Sequence, residues 1–148
     1  MKNKLSILLI LFLYLGEFSF ADPFIFKTKE IEIKNNGNEI YAEDGKAFSA
    51  DNNLEIEASN FEYFKNSDLL KAYKGIAFIK SDNLKIIFNE IQFDQKKFQF
   101  KAKNNVKIFD IKNKLTIETK LVDYNWNKRI LKSKTNSVLK DQFNNVFN

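Results

Sequence analysis

The sequence predicts an all-β protein assembled from repeated antiparallel hairpins. Three observations predict it. Apolar residues recur at alternate positions, Asn, Asp and Gly punctuate the chain every seven or eight residues, and a unit of about 30 residues repeats.

The alternation comes first because it sets the element type. Leu54-Glu55-Ile56-Glu57-Ala58 puts three apolar side chains on one face and two acids on the other. Leu84-Lys85-Ile86-Ile87-Phe88 and Leu115-Thr116-Ile117-Glu118-Thr119 follow the same rule. A period of two is that of a half-buried strand, and Phe, Ile, Tyr and Thr suit a pleated surface. No segment after residue 21 carries a credible amphipathic helical stripe.

The breaks supply the turns. Asn36-Gly37, Asp44-Gly45, Asp51-Asn52-Asn53, Asp82-Asn83 and Asn104-Asn105 all tolerate the positive φ of tight hairpins. Read this way, the chain holds about sixteen short strands between Phe24 and Leu139. Strands joined by tight turns are antiparallel, since parallel neighbours need long crossovers. A zigzag that buries one face must fold over on itself into two facing layers. The inward set is Phe48, Leu54, Ile56, Phe61, Phe78, Leu84, Ile86, Phe88, Ile91, Phe93, Phe98, Phe100, Ile108, Leu115, Ile117, Val122 and Tyr124. Such a set can pack into a dry sandwich without any ligand, each large side chain stabilising by about 1.5–3 kcal/mol before entropy.

The repeat fixes the register. Ala42, Ala72 and Ala102 align, as do Gly45, Gly75 and Asn105, then Phe48, Phe78 and Ile108. Leu54, Leu84 and Leu115 follow, then Ile56, Ile86 and Ile117, and each unit closes on Tyr63, Phe93 or Tyr124. The third copy has one residue more, assigned here to Lys112–Lys114. Partial copies flank the three, as caps do in a stacked array.

The N-terminus addresses the chain. Lys2 and Lys4 precede an apolar run from Leu5 to Gly16, and Ser19-Phe20-Ala21 fits a small-x-small cleavage site. This reads as a secretory signal peptide over residues 1–21, cut after Ala21, with one exported domain at 22–148. An uncleaved membrane anchor is the alternative; a spanning helix needs about 20 apolar residues, and Glu17 interrupts this run.

Composition narrows the chemistry. The chain has no histidine and no cysteine. It therefore lacks the commonest acid–base catalyst, a Ser-His-Asp triad and Cys/His metal spacing. Its acids at Glu55, Glu57 and Glu118 alternate with inward residues and so face solvent. We expect no enzyme, no metal and no cofactor. The net charge of +5 is spread among interleaved acids and bases without a polybasic block. Tyr73-Lys74 and the Trp126–Arg129 segment have the composition of a nucleic-acid contact. The export signal argues against that use, and Trp126 continues the inward parity of Val122 and Tyr124.

The repeat elements Leu70-Lys71-Ala72, Lys74-Gly75-Ile76 and Asp82-Asn83-Leu84-Lys85-Ile86, with Ala42, Gly45 and Ala47, resemble the OstA-like family over residues 24–139. The resemblance implies a twisted V-shaped β-jellyroll in the periplasm whose groove holds the acyl chains of lipopolysaccharide. The candidate groove residues are then Phe48, Leu54, Ile56, Phe61, Phe78, Leu84, Ile86, Phe88, Phe93, Ile108, Leu115 and Ile117. It also implies partners: other OstA-like domains of the inner- and outer-membrane transport complexes, joined by edge-strand pairing, and self-association end to end. Soluble bridge, membrane-anchored component and a β-scaffold that binds no lipid all stay open at this point. Asn in place of turn glycines, and Lys107 where the other copies have Ala, depart from the family's pattern.

Overall fold

The computed structural model describes residues 24–50 and 53–147. The signal peptide expected at 1–21 and most of the Asp51-Asn52-Asn53 turn lie outside the described residues.

The strands are β1 (Phe24–Lys34), β2 (Glu39–Ser49), β3 (Leu54–Phe64), β4 (Leu69–Ile79), β5 (Leu84–Asp94), β6 (Gln99–Asp110), β7 (Leu115–Asn125), β8 (Ile130–Ser133), β9 (Val138–Lys140) and β10 (Val146–Phe147). All pair antiparallel in one open sheet, in chain order through β7. Both β8 and β9 pair with β7, at residues 122–125 and 116–118 respectively. They are the two halves of an eighth strand interrupted at residues 134–137.

Ten strands thus replace the sixteen expected, and the reason is physical. Asp44-Gly45 and Asn104-Asn105 do not reverse the chain. They bend it within β2 and β6. The left-handed residues there, Asp44 (φ 47°), Lys74 (φ 51°), Asn104 (φ 58°) and Asn105 (φ 53°), lie inside strands that continue on both sides. The ladder between β1 and β2 passes from the pair Thr28–Gly45 to Glu30–Glu43, and that between β3 and β4 from Ala58–Gly75 to Asn60–Tyr73. The interruptions at 29, 44, 59, 74 and 89 line up into one crease across the sheet.

Inward parity slips at the crease. Ala58 and Phe61 are both buried, as are Phe88 and Ile91. Strict alternation would put the members of each pair on opposite faces. The crease is also where neighbouring backbones crowd. A Cβ on Gly45 would stand 2.3 Å from the Lys27 carbonyl oxygen, and one on Gly75 would stand 2.2 Å from that of Glu57. In β6 the glycine is replaced by length. The strand has twelve residues, and its pairing shifts between Lys103 and Val106 against β7 and between Lys103 and Lys107 against β5. The extra residue of the third copy is therefore a β-bulge at Asn104-Asn105, not an insertion in the 112–114 turn.

The crease folds the sheet into two facing arms, each ending in a row of turns. One lip holds the turns near residues 35–38, 65–68, 95–98 and 126–129; the other holds those near 80–83 and 111–114. Each turn hangs on the one before it. Lys65 N–H donates to the Asn38 carbonyl (2.9 Å), Gln95 to Asp68 (3.1 Å) and Trp126 to Phe98 (3.0 Å). On the opposite lip Lys80 donates to Asn53 (2.8 Å) and Ile111 to Asn83 (3.0 Å). The closing residues Asp68, Asn83, Phe98, Lys114 and Arg129 all adopt positive φ. Phe98, placed inward by sequence, instead occupies such a turn and is exposed; for so bulky a residue this backbone is an outlier.

Candidate functional site

The candidate site is the apolar interior between the arms. Its rows run across the strands and alternate in size from β2 to β5. Ala42, Phe61, Ala72, Ile91, Ala102 and Val122 are successive partners on one arm. Ala47, Ile56, Ala77, Ile86, Ile108 and Ile117 are successive partners on the other. Alanine on one strand makes room for the branched or aromatic side chain of the next, which is how a thin layer reaches close packing.

Ten of the twelve candidate groove residues are brought together here. Leu54, Ile56, Phe61, Leu84, Ile86, Phe88, Phe93 and Ile108 are buried, while Leu115 and Ile117 are half-buried towards the β8–β9 end. Phe48 and Phe78 are not among them. The buried positions are their neighbours Ala47 and Ala77, so the two phenylalanines stand on the outer face. There Lys27 lies 5.4 Å from the Phe48 ring and Lys85 lies 5.8 Å from the Phe78 ring. Ile108 corresponds in the sheet to Ala47 and Ala77, not to Phe48 and Phe78, because the bulge in β6 shifts the third copy by one residue. The interior also holds Leu70, Ile79 and Val106, which period-two reading from the turns passed over. The signal that finds them is the parity slip.

Ring contacts show that the lips meet. Phe24 belongs to one lip, and its ring lies 5.3 Å from Tyr63 and 5.9 Å from Phe93, which belong to the other. Phe26 packs 5.9 Å from Phe61. Trp126 extends this cluster through Phe93 at 5.7 Å. Towards β7 the closure becomes polar. The Tyr124 hydroxyl donates to the Asp82 carboxylate, and Arg129 Nε approaches the same carboxylate at 3.3 Å. Burial first, then this hydrogen bond, pushes the Tyr124 hydroxyl up from its ordinary range.

Two of the spaces that remain lie between the arms or their lips. A cavity of about 310 Å³ lies between the arms beside Asp82 and Tyr124, with Leu84, Ile108, Ile117 and Leu131 in its wall. A second, of about 340 Å³, opens between the lips among Ser49, Phe93, Gln95, Phe98 and Trp126. Both fall at the lower end of the roughly 300–1,000 Å³ typical of ligand pockets. The space among β2–β5 is filled by the protein's own side chains: Leu54, Ile56, Phe61, Tyr63, Leu70, Ile79 and Ile86 are at most 1% exposed.

The outer face is ionic. Lys46 pairs with Glu55 (3.0 Å) and Glu57 (3.3 Å), Lys103 with Glu90 (3.0 Å), and Glu118 with both Lys107 and Lys140 (3.1 Å each). The hydrogen bond from Lys46 holds the Glu55 carboxyl below the usual range. Near the crease of β7 the buried Thr119 hydroxyl meets Ser133 (2.8 Å) and Thr135 (2.9 Å), which satisfies a polar group that burial would otherwise penalise. Among the described residues, no cluster of three or more His, Cys, Asp or Glu could hold a metal ion.

The sequence matches no protein-family model and no curated protein. The fold does match solved structures. Among them is LptH of Pseudomonas aeruginosa, described as the LptA-homologous periplasmic component of the conserved lipopolysaccharide transport device. It superposes with a TM-score of 0.65 at 11% identity, covering 77% of this chain and 83% of that one. The fold of the OstA-like reading is therefore present in this chain: an all-β open sheet of LptA type.

Proposed function

We propose that this chain is a periplasmic lipopolysaccharide carrier: it receives acyl chains between its two arms and relays them between membranes as one link of a bridge. The observation that carries the reading is the continuous apolar lining between arms that meet without a covalent tie. The LptA type of the fold supports it, as does the export signal read in the sequence.

The energetics are compatible with that use. Burying a methylene is worth about 0.8 kcal/mol, so a twelve-carbon chain offers roughly 10 kcal/mol. Separating the lips gives up a few aromatic contacts at about 0.5–1.5 kcal/mol each. The gain on loading exceeds the cost of parting the lips to admit a chain. The groove residues are Leu54, Ile56, Phe61, Leu84, Ile86, Phe88, Phe93, Ile108, Leu115 and Ile117. The reading involves no catalytic step. Partners join through the sheet edges, where Ile25, Ile31 and Ile33 of β1 and Val146 and Phe147 of β10 are exposed apolar residues.

One observation favours a second reading, a β-scaffold that binds no lipid: the interior of β2–β5 is already filled. A single experiment decides between them. Photo-crosslinking residues at Leu84, Ile108 or Ile117 should capture lipopolysaccharide in cells, and those at Phe78 or Lys85 on the outer face should not. Capture only at the outer positions, or no lipid in mass spectra of the gently purified protein, would leave the scaffold.

A further inference from the structure

The two lips are not sealed in the same way along their length. Around β1–β5 they meet through aromatic rings that bury one another. Beside β7 they meet through a polar contact that bridges 42 residues of sequence. Asp82 sits in the turn between β4 and β5, on one lip. Tyr124 is the penultimate residue of β7 and Arg129 closes the next turn, both on the other lip. The Asp82 side chain is 11% exposed, accepts a hydrogen bond from the Tyr124 hydroxyl and forms an ion pair with Arg129. These three residues line one cavity with Leu84, Ile108, Ile117 and Leu131, and its wall also includes the polar residues Ser81, Asn83, Asp110 and Lys112. Ile117 and Leu131 are only half-buried, unlike the filled interior of β2–β5.

We infer that Asp82, Tyr124 and Arg129 form a latch that holds the lips shut over this cavity, and that its release admits an alkyl chain there first. This rests on the carrier reading above and adds to it a place of access and a gate. The chemistry suits a gate. Aromatic packing is lost gradually as surfaces part, whereas a charge-assisted hydrogen bond is directional and breaks over a short distance. On opening, each latch group exchanges its partner for water, and Arg129 is already 73% exposed. The ring of Tyr124 is buried, so the hydroxyl can lose its partner while the ring stays packed.

The test is stopped-flow uptake of cis-parinaric acid, which fluoresces in apolar surroundings, by the full exported chain. Tyr124→Phe and Asp82→Asn should each raise the association rate by about tenfold, the scale of one lost charge-assisted hydrogen bond. Arg129→Ala, in an exposed turn, should raise it by a smaller factor. Because a gate acts on free and loaded states alike, dissociation should quicken by the same factor and leave affinity nearly unchanged. A packing lesion would change affinity instead. Adding Ile117→Trp to Tyr124→Phe fills the cavity and should abolish the gain. Uptake that is equally fast in the parent and all three latch variants overturns the latch while leaving the carrier reading intact. No uptake by the parent or any variant overturns both.

Discussion

Replacing Gly75 by alanine adds one carbon atom at the crease of β4. That atom would stand 2.2 Å from the Glu57 carbonyl oxygen and 2.8 and 2.9 Å from the Cβ and Cα of Ala58. A carbon–oxygen contact relaxes only at about 3.3 Å, so something must move by roughly 1 Å. The obstacle is the main chain of β3, which is pinned on its far side because Ala58 also pairs with Gly45 of β2. No rotamer change can relieve it. Overpacking costs about 1–3 kcal/mol when side chains can shift and occasionally more, so we expect at least about 3 kcal/mol here. At roughly 4 °C per kcal/mol, the melting midpoint should fall by about 10 °C. Gly37 provides the control. It lies at φ +88° with nothing within 4 Å of an added Cβ, so alanine there costs only the left-handed backbone, about 1–2 kcal/mol. Urea unfolding followed by Trp126 fluorescence, with far-ultraviolet dichroism as a second probe, measures both. A Gly75→Ala chain no less stable than Gly37→Ala refutes the account of the crease as a close approach of backbones.

Other consequences can be checked with the same assay. Ile86→Ala removes a fully buried side chain and should cost about 2–5 kcal/mol. Phe61→Ser should cost about 3 kcal/mol or more, whereas Phe78→Ser on the outer face should cost about 1 kcal/mol; equal losses would contradict the assignment of faces. The folded-state pKa of Glu55 is depressed by Lys46, so its stabilising contribution is present above the unfolded carboxyl pKa and is lost as pH falls through the folded value. Glu55→Gln should therefore flatten the acid limb of a stability–pH curve. Tyr73 is pushed up to about 12, first by burial and then by its hydrogen bond to Glu62 at 3.1 Å. Its contribution is present below about pH 10 and lost as pH rises towards the folded value. Melting midpoints should drop between pH 10 and 12, and by less in Tyr73→Phe.

The arms were legible in the sequence and the crease was not. Leu54-Glu55-Ile56 and Leu84-Lys85-Ile86 each lie within one arm, where strict alternation holds, so their faces could be assigned directly. Asp44-Gly45 carries the chemistry of a hairpin turn, and only the pairing on both sides of it shows a bend within a strand. On β3 and β5 the crease falls at Ser59-Asn60 and Asn89-Glu90, where no glycine marks it. What marks it is spacing: Ala58 to Phe61 and Phe88 to Ile91 are three apart where two would be expected. At 47–48 and 77–78 the alanine faces inward and the phenylalanine outward, the reverse of what residue size suggests. The interior next to the crease is narrow, and alanine is what fits opposite Ile56 and Ile86. The latch was invisible for a different reason: Asp82 and Tyr124 carry no local pattern, and only the folding over of the sheet brings them together.

The bulge in β6 bears on how such a chain can change length. A single residue gained within either arm would turn every later side chain of that arm inside out. Gained at the bend, as at Asn104-Asn105, it is absorbed where parity is already reset, and Phe100, Ala102, Val106 and Ile108 all remain buried. The eighth strand does the same, its two halves pairing with β7 in frames that differ by one residue. Insertions and deletions should therefore collect along this one line of the sheet, leaving the sequences on either side of it to diverge only by substitution.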